Sequence, residues 1–299
     1  MKQFVDLQDD YKAYIFIANY HALTTNQEGN KLSKQTMDVA MDYLAIGLDP
    51  AKTTLFIQSD VPEVTELAWI FETLTTVPYL MRAHAFKDAD QKTKEVNVGL
   101  FNYPMLMAAD ILIQDTDMVP VGQDQKQHVE YARDTAEKFN RTYGDTFKLP
   151  EPMILQNVAV VPGTDGRKMS KSYGNTIPLF AEKNEITEAV MSIKTDSKGV
   201  NEPKDPEADL VFAMHRLVSG GILDELEKRY RGGEIGYKES KEILIDNMEK
   251  FIGPMRERRK DIEGNPDDVR KIIKDGGLAA GERARTKMVE VRKKAGLSI

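Results

Sequence analysis

The chain contains no cysteine, so disulfide bonds and cysteine-ligated metal centres are excluded. It also has no uninterrupted apolar run of about 18 residues, and no segment is therefore predicted to cross a membrane. The N-terminal segment is acidic and lacks the apolar region of a signal peptide. From these absences we expect a cytoplasmic protein that has no membrane partner.

Several common motifs are absent as well. The sequence has neither G-x-x-x-x-G-K-(S/T) nor G-x-G-x-x-G, which argues against a P-loop nucleotide site and a dinucleotide site. It has no G-x-S-x-G nucleophile elbow. The four histidines do not show the spacing of metal ligands, so no protein-bound metal is expected.

The composition that remains is typical of a soluble globular protein. With 299 residues, 41% hydrophobic and 30% charged, the chain can form one large or two smaller domains. A net charge of −7 argues against binding of nucleic acid by overall charge. Residues 255–299 nevertheless carry 13 Lys/Arg against 8 Asp/Glu, which indicates either a solvated helix surface or a face that contacts RNA phosphates.

Three short apolar segments rich in β-forming residues, at 14–19, 53–58 and 118–122, are predicted as buried strands. A helical pattern comes after each of the first two strands, one capped by Ser33 and one that begins after Pro62. This alternation predicts an α/β domain with a parallel sheet and crossover helices.

Further helical patterns flank these strands. The first 13 residues have a helical pattern, and another helix is predicted from residue 122 to 140. The buried face of the latter would consist of Val129, Ala132, Ala136 and Phe139. The polar residues 82–94 are predicted as a surface excursion.

The last third of the chain is predicted to be helical, because no strand pattern appears between residues 182 and 297. The predicted helices lie at 211–218, 222–231, 237–263, 267–274 and 282–294. We therefore predict an α/β domain of residues 1–178 and an all-helical domain of residues 179–299. The last helix is a candidate to pack back on the first domain.

Two side chains of the α/β segment are candidates for a binding site. Asp110 is the lone charged residue in the apolar segment 103–114, and a buried carboxylate without a partner is costly. It either has a partner within the protein or accepts a hydrogen bond from a ligand. His21 comes after the first predicted strand, at the sheet edge where ligands gather. It is either a structural histidine or a ligand-binding one.

A loop at residues 160–178 carries a third candidate site. Its centre, Lys168-Met169-Ser170-Lys171-Ser172, places two ammonium groups among small hydroxyls, between Gly- and Pro-containing turns. Such a loop can meet a polyphosphate whose charge grows during a reaction. A solvated basic loop is the alternative for an arbitrary K-x-x-K pattern.

This loop resembles, residue for residue, the KMSKS signature of class I aminoacyl-tRNA synthetases. Two further strings extend the resemblance: FIANYHALTT at 16–25 and PMLMAADILIQDTDMVPVGQDQKQHVEYARDTAEKFN at 104–140. Together with VPGTDGRKMSKSYGNT at 161–176, they are similar to the bacterial tryptophanyl-tRNA synthetases over essentially the whole chain. The resemblance implies a Rossmann-like catalytic domain followed by an all-helical domain.

The resemblance also implies roles for individual residues. Asp110 matches the carboxylate that accepts the indole N–H of tryptophan. The apolar lining of that pocket is matched by Met107, Val119 and Val121, and its polar residues by Gln125 and His21. The ATP side is matched by Gly122, Gln123, Asp124 and Val160. Lys168 and Lys171 would stabilise the pyrophosphate leaving group, within a mobile loop that includes Met169, Ser170 and Ser172.

The implied substrates are L-tryptophan, ATP and tRNA(Trp), with Mg²⁺ carried on the ATP phosphates. The implied reaction is in-line attack of the tryptophan carboxylate on the α-phosphate, which depends on positioning and charge neutralisation. The helical domain would contact the tRNA anticodon, and the family is typically homodimeric.

One element of the family pattern does not occur in these 299 residues. Class I synthetases carry His-x-Gly-(His/Asn) after the first strand, and none of the four histidines is followed by x-Gly. That strand and motif would precede Met1. We therefore expect the chain as written to lack adenylation activity. The alternatives are a catalytically impaired synthetase-like protein that only binds tryptophan or tRNA, and a tyrosine-activating enzyme.

Overall fold

The computed structural model of the chain describes residues 2–82, 97–122, 126–154 and 161–298. The predicted surface excursion at 82–94 lies outside these ranges except for Arg82. The chain forms two compact units, residues 1–157 together with 265–299, and residues 158–264. The predicted domains divide the chain elsewhere, at residue 178. The KMSKS loop belongs to the second unit and the C-terminal helix to the first.

The first unit contains four short strands in two parallel pairs. Strand β1 (Ala13–Ile17) pairs with β2 (Thr53–Ile57), and β3 (Met118–Val121) pairs with β4 (Glu151–Ile154). Three of the four strands are confirmed predictions. The fourth was not predicted, because it is a four-residue segment interrupted by Pro152.

The predicted parallel sheet is thus present as two parallel pairs among the described residues. In the first pair Ala13 lies opposite Thr53, and in the second Met118 lies opposite Glu151. A cavity of about 640 Å³ is lined by residues of both β1 and β3. The α/β class is confirmed, with helices following the strands as parallel topology requires.

Eight α-helices accompany these strands in the described part of the first unit. They are α1 (Lys2–Leu7), α2 (Asn19–Ala22), α3 (Gly29–Ala45), α4 (Glu63–Leu74), α5 (Val77–Leu80), α6 (Val98–Leu112), α7 (Lys126–Tyr143) and the C-terminal α12 (Pro266–Lys294). The predicted buried face of α7 is confirmed, since Val129, Ala132, Ala136 and Phe139 are fully buried.

One predicted helix end and one predicted helix start were wrong. The first helix stops at Leu7, because the side chain of Gln8 instead binds the turn after α3, donating to Gly47 O and accepting from Asp49 N–H. Ser33 is not a cap. Helix α3 begins one turn earlier, where Leu32 N–H donates to Glu28 O.

The prediction of two separate C-terminal helices was also wrong. Helix α12 runs without interruption through Gly276 and Gly277, which the sequence pattern treats as a break. The two glycines lie where α12 crosses β2 and the turn after it, so the absent side chains permit close packing rather than ending the helix. This packing places residues 265–299 in the first unit.

From residue 182 to residue 264 the second unit contains helices and connecting loops but no strand, as predicted. It comprises α8 (Lys183–Met191), α9 (Leu210–Val218), α10 (Leu223–Gly232) and α11 (Tyr237–Glu263). A capping box between Glu182 and Glu185 starts α8, and Gly233 ends α10 with a φ of 67°. Among the described helices, none combines the length and the apolar content needed to cross a membrane.

Candidate active site

Asp110 is buried on helix α6, with only 6% of its surface exposed. Two side chains meet one of its oxygens. Gln58 Nε2 donates to Asp110 Oδ2 over 2.7 Å, and His21 Nε2 lies 3.1 Å from the same atom. An ionised carboxylate can only accept, so with Asp110 ionised this contact requires a proton on Nε2 of the His21 ring. Asp110 therefore has partners within the protein.

These partners converge because of the parallel strands. His21 lies on α2, directly after β1, and Gln58 is the residue immediately after β2. The carboxyl ends of neighbouring parallel strands lie at one edge of the sheet, which is where α/β proteins bind ligands. Helix α6 brings Asp110 to that edge. The structure thus joins the two candidate residues Asp110 and His21.

The electrostatics of Asp110 follow from its burial. Loss of solvent raises the pKa of this carboxyl, while the hydrogen bonds from His21 and Gln58 act in the opposite direction. The Tyr103 ring lies edge-on to His21, with centroids 6.2 Å apart, and its hydroxyl is 3.1 Å from His128 Nε2. A buried acceptor beside aromatic groups suits a ligand that presents an apolar ring with one N–H donor.

Gln58 is a site residue that the sequence prediction missed. Its side chain is 1% exposed, and besides Asp110 it binds the backbone of α2. Its Oε1 accepts from the N–H groups of Tyr20, at 3.0 Å, and His21, at 3.4 Å. The available signal was a glutamine at the end of an otherwise apolar predicted strand.

The other predicted pocket residues are placed only in part. Met107 lies on α6 one turn before Asp110 and is partly exposed. Val119 and Val121 lie on β3, both partly exposed, and Gly122 comes directly after them. The remaining predicted site residues of this unit, Gln123, Asp124 and Gln125, lie outside the described residues, as does Val160.

In the KMSKS loop the described residues begin at Val161. Pro162 and Lys168 form an antiparallel bridge, and Met169 N–H donates to Val161 O over 2.9 Å. Lys171 begins a 3₁₀ turn that ends before Gly174, whose φ is 64°. Lys168 and Lys171 are both exposed, whereas Met169 packs against the apolar core of its unit. Both ammonium groups are therefore accessible to a ligand.

Asn175 organises this loop and was also missed by the sequence prediction. The residue is 2% exposed. Its Nδ2 donates to Asp165 Oδ1 and Lys168 O, and its Oδ1 accepts from Ser170 N–H. The amide of Asn175 lowers the pKa of Asp165 to about 2, with Arg167 acting in the same direction. The hydroxyl groups of Ser170 and Ser172 form a hydrogen bond, with their Oγ atoms 2.8 Å apart.

No group of three or more acidic or histidine side chains with metal-binding geometry occurs in the described part of the chain. The ionisable candidate residues are Asp110 and His21 in the first unit and Lys168 and Lys171 in the second.

The model of the family "tRNA synthetases class I (W and Y)" matches residues 1–253. The chain belongs to this family. Among its relatives, the tryptophan–tRNA ligase of Fusobacterium nucleatum is 48% identical over 298 residues, which are 99% of this chain and 90% of the relative. That of Rhodopirellula baltica is 45% identical, covering 99% of this chain and 93% of the relative. These matches place the chain with the bacterial tryptophan enzymes of the family.

Solved structures of the family have the same fold. The tryptophanyl-tRNA synthetase of Campylobacter jejuni complexed with ADP and tryptophan superposes with a TM-score of 0.90 at 43% identity. The superposition covers 99% of this chain and 93% of that one. The prediction of a Rossmann-like catalytic domain with a helical C-terminal part is confirmed by this agreement.

Proposed function

We propose that this synthetase-family chain activates L-tryptophan with ATP and transfers it to tRNA(Trp). The observation that carries the proposal is the buried carboxylate of Asp110 at the sheet edge, held by two donors on one oxygen. A ligand with one N–H on an apolar ring matches such an acceptor, and the indole of tryptophan is such a ring. Tyrosine offers no ring N–H.

Asp110 would select tryptophan by accepting its indole N–H, with Met107, Val119 and Val121 lining the pocket and His21 and Gln125 near the amino acid. ATP would lie against Gly122, Gln123, Asp124 and Val160, with Mg²⁺ carried on its phosphates. Attack of the tryptophan carboxylate on the α-phosphate forms the adenylate and releases pyrophosphate. The reaction needs charge neutralisation on the leaving group, and the exposed ammonium groups of Lys168 and Lys171 supply it.

The macromolecular partners belong to the same proposal. The tRNA(Trp) would be contacted by the helical part of the chain, with basic side chains between residues 255 and 299 meeting RNA phosphates. The active form would be a homodimer located in the cytoplasm. The domain assignment also stays a proposal: a nucleotide- and tryptophan-binding domain of residues 1–178 and a tRNA-binding domain of residues 179–299.

Two measurements test the proposal. Calorimetric titration with L-tryptophan and L-tyrosine tests the pocket assignment, and preferential binding of tyrosine would contradict it. Tryptophan-dependent ATP–pyrophosphate exchange tests the activation step. Absence of exchange by a protein that binds L-tryptophan would contradict the assignment as a ligase and leave the pocket assignment standing.

A further inference from the structure

Gln58 joins the two halves of the tryptophan pocket through a single amide group. Its nitrogen donates to Asp110 on α6, and its oxygen accepts from two backbone N–H groups of α2, the helix that carries His21. The side chain is buried, so water does not substitute for these contacts. An amide in this position therefore holds both the Asp110 carboxylate and the helix that carries His21 in place.

The orientation of this amide is determined by its neighbours. Two backbone N–H groups point at one end of the side chain, and they require an acceptor there. The Asp110 carboxylate at the other end requires a donor. Rotating the amide by 180° would place N–H against N–H and oxygen against oxygen, so only one orientation satisfies all three contacts.

Both donors to Asp110 meet the same oxygen. Gln58 Nε2 and His21 Nε2 lie 2.7 Å and 3.1 Å from Oδ2. Two donors on one oxygen fix the plane of the carboxyl group. Oδ2 is then bound within the protein, whereas Oδ1 is not used in these two contacts. Building on the proposed function, we propose that Gln58 is a positioning residue for tryptophan recognition, holding Asp110 through Oδ2 so that Oδ1 receives the indole N–H.

Gln58 would act on tryptophan through Asp110, and a substitution can separate this positioning role from a general contribution of Gln58 to packing. Gln58→Met keeps the size of the side chain and removes both the donor and the acceptor. The matched control is Gln114→Met, because Gln114 is another buried glutamine of the same unit, and its amide donates to the backbone oxygen of Ala280. If Gln58 only supported the fold, the two variants would behave alike.

The decisive measurement is the ratio of dissociation constants for L-tryptophan and 1-methyl-L-tryptophan, which lacks the indole N–H. We expect Gln58→Met to weaken L-tryptophan binding about 10- to 100-fold, the range for a lost hydrogen bond to a charged group. Binding of the methylated analogue should stay nearly constant, so the ratio rises towards one. Gln114→Met should keep the wild-type ratio.

A second measurement concerns the free protein and needs no tryptophan. Carboxyl ¹³C signals of aspartate-labelled protein, assigned with Asp110→Asn, report the titration of Asp110. The titratable side chain against it is His21 from α2, with Tyr103 of α6 behind that ring. Loss of the Gln58 donor should move the midpoint of Asp110 to higher pH, because a hydrogen bond to the charged form is removed.

The outcomes are distinct. An unchanged ratio in Gln58→Met, with normal binding by the wild-type protein, would overturn this inference and leave the proposed function standing. An unchanged Asp110 midpoint would also overturn it. Absence of L-tryptophan binding by the wild-type protein would contradict the proposed function itself, and the positioning role of Gln58 with it.

Discussion

A Cβ atom on Gly276 would lie 1.9 Å from the carbonyl oxygen of Leu55. Helix α12 thus touches the backbone of β2 at a point where only glycine fits. Gly276→Ala should therefore force a backbone shift and lower the free energy of unfolding by about 3 kcal/mol or more. Urea denaturation of the two proteins measures the difference.

Gly281 provides the matched control on the same helix. A Cβ there would meet the guanidinium end of Arg285, which is a flexible group. Gly281→Ala should be neutral, or stabilising by up to about 1 kcal/mol through helix propensity. If both variants lost stability equally, the contact between α12 and β2 would not be the cause.

The second prediction concerns selection of tryptophan. Asp110→Ala removes the proposed acceptor for the indole N–H and should weaken L-tryptophan binding more than about 100-fold, since a site built around one hydrogen bond discriminates strongly. The exposed Asp117, paired with Lys148, is the control, and Asp117→Ala should bind normally. Unchanged affinity in Asp110→Ala would show that the pocket is assigned wrongly.

The third prediction concerns the order of the KMSKS loop. Asn175→Ala removes three hydrogen bonds that tie Asp165, Lys168 and Ser170 together. Transient opening of the loop should become roughly tenfold more frequent, which corresponds to about 1.4 kcal/mol. Limited trypsin digestion measures this as faster cleavage after Lys168 and Lys171.

Ser172→Ala is the control for that experiment. It removes a single exposed contact between hydroxyls, and the cleavage rate should change little. Equal cleavage of wild-type protein and Asn175→Ala would mean that the buried amide does not hold the loop.

The fourth prediction concerns pH. His215 is buried in the second unit between Ser219 and Ser240, and burial lowers its pKa from 6.5 to about 4. As the pH falls below 6.5, the unfolded chain takes up this proton before the folded chain does. The folded state should lose about 3 kcal/mol from this residue between pH 6.5 and 4.

Chemical denaturation at several pH values measures the free energy of unfolding of the wild-type protein and of His215→Gln. The carboxylates contribute equally to both proteins, so the difference between the two free energies isolates the contribution of His215. The variant should show a shallower loss of stability over this window. Ser219→Ala removes one partner of the ring without removing the titration, and its pH dependence should follow the wild type. Parallel curves for His215→Gln and the wild type would contradict the prediction.

Local patterns were sufficient for much of this protein. The spacing of apolar residues located β1, β2, β3 and the buried face of α7, because a buried strand or helix face shows itself in the order of residues that are close in the sequence. The KMSKS string and the isolated carboxylate of Asp110 were recognisable for the same reason. Helix α11 was predicted with the bounds it has in the structure, Tyr237–Glu263.

Only the tertiary structure decided which groups meet. Gln58 and Asp110 are 52 residues apart, and their hydrogen bond depends on how β2 and α6 pack. The same holds for Gly276, which by local propensity reads as a helix break and in the fold is the point where α12 meets Leu55. Residue types and their spacing therefore determined the family and the chemistry, whereas long-range packing determined how the pocket is held, because its contacts join segments that are distant in the chain.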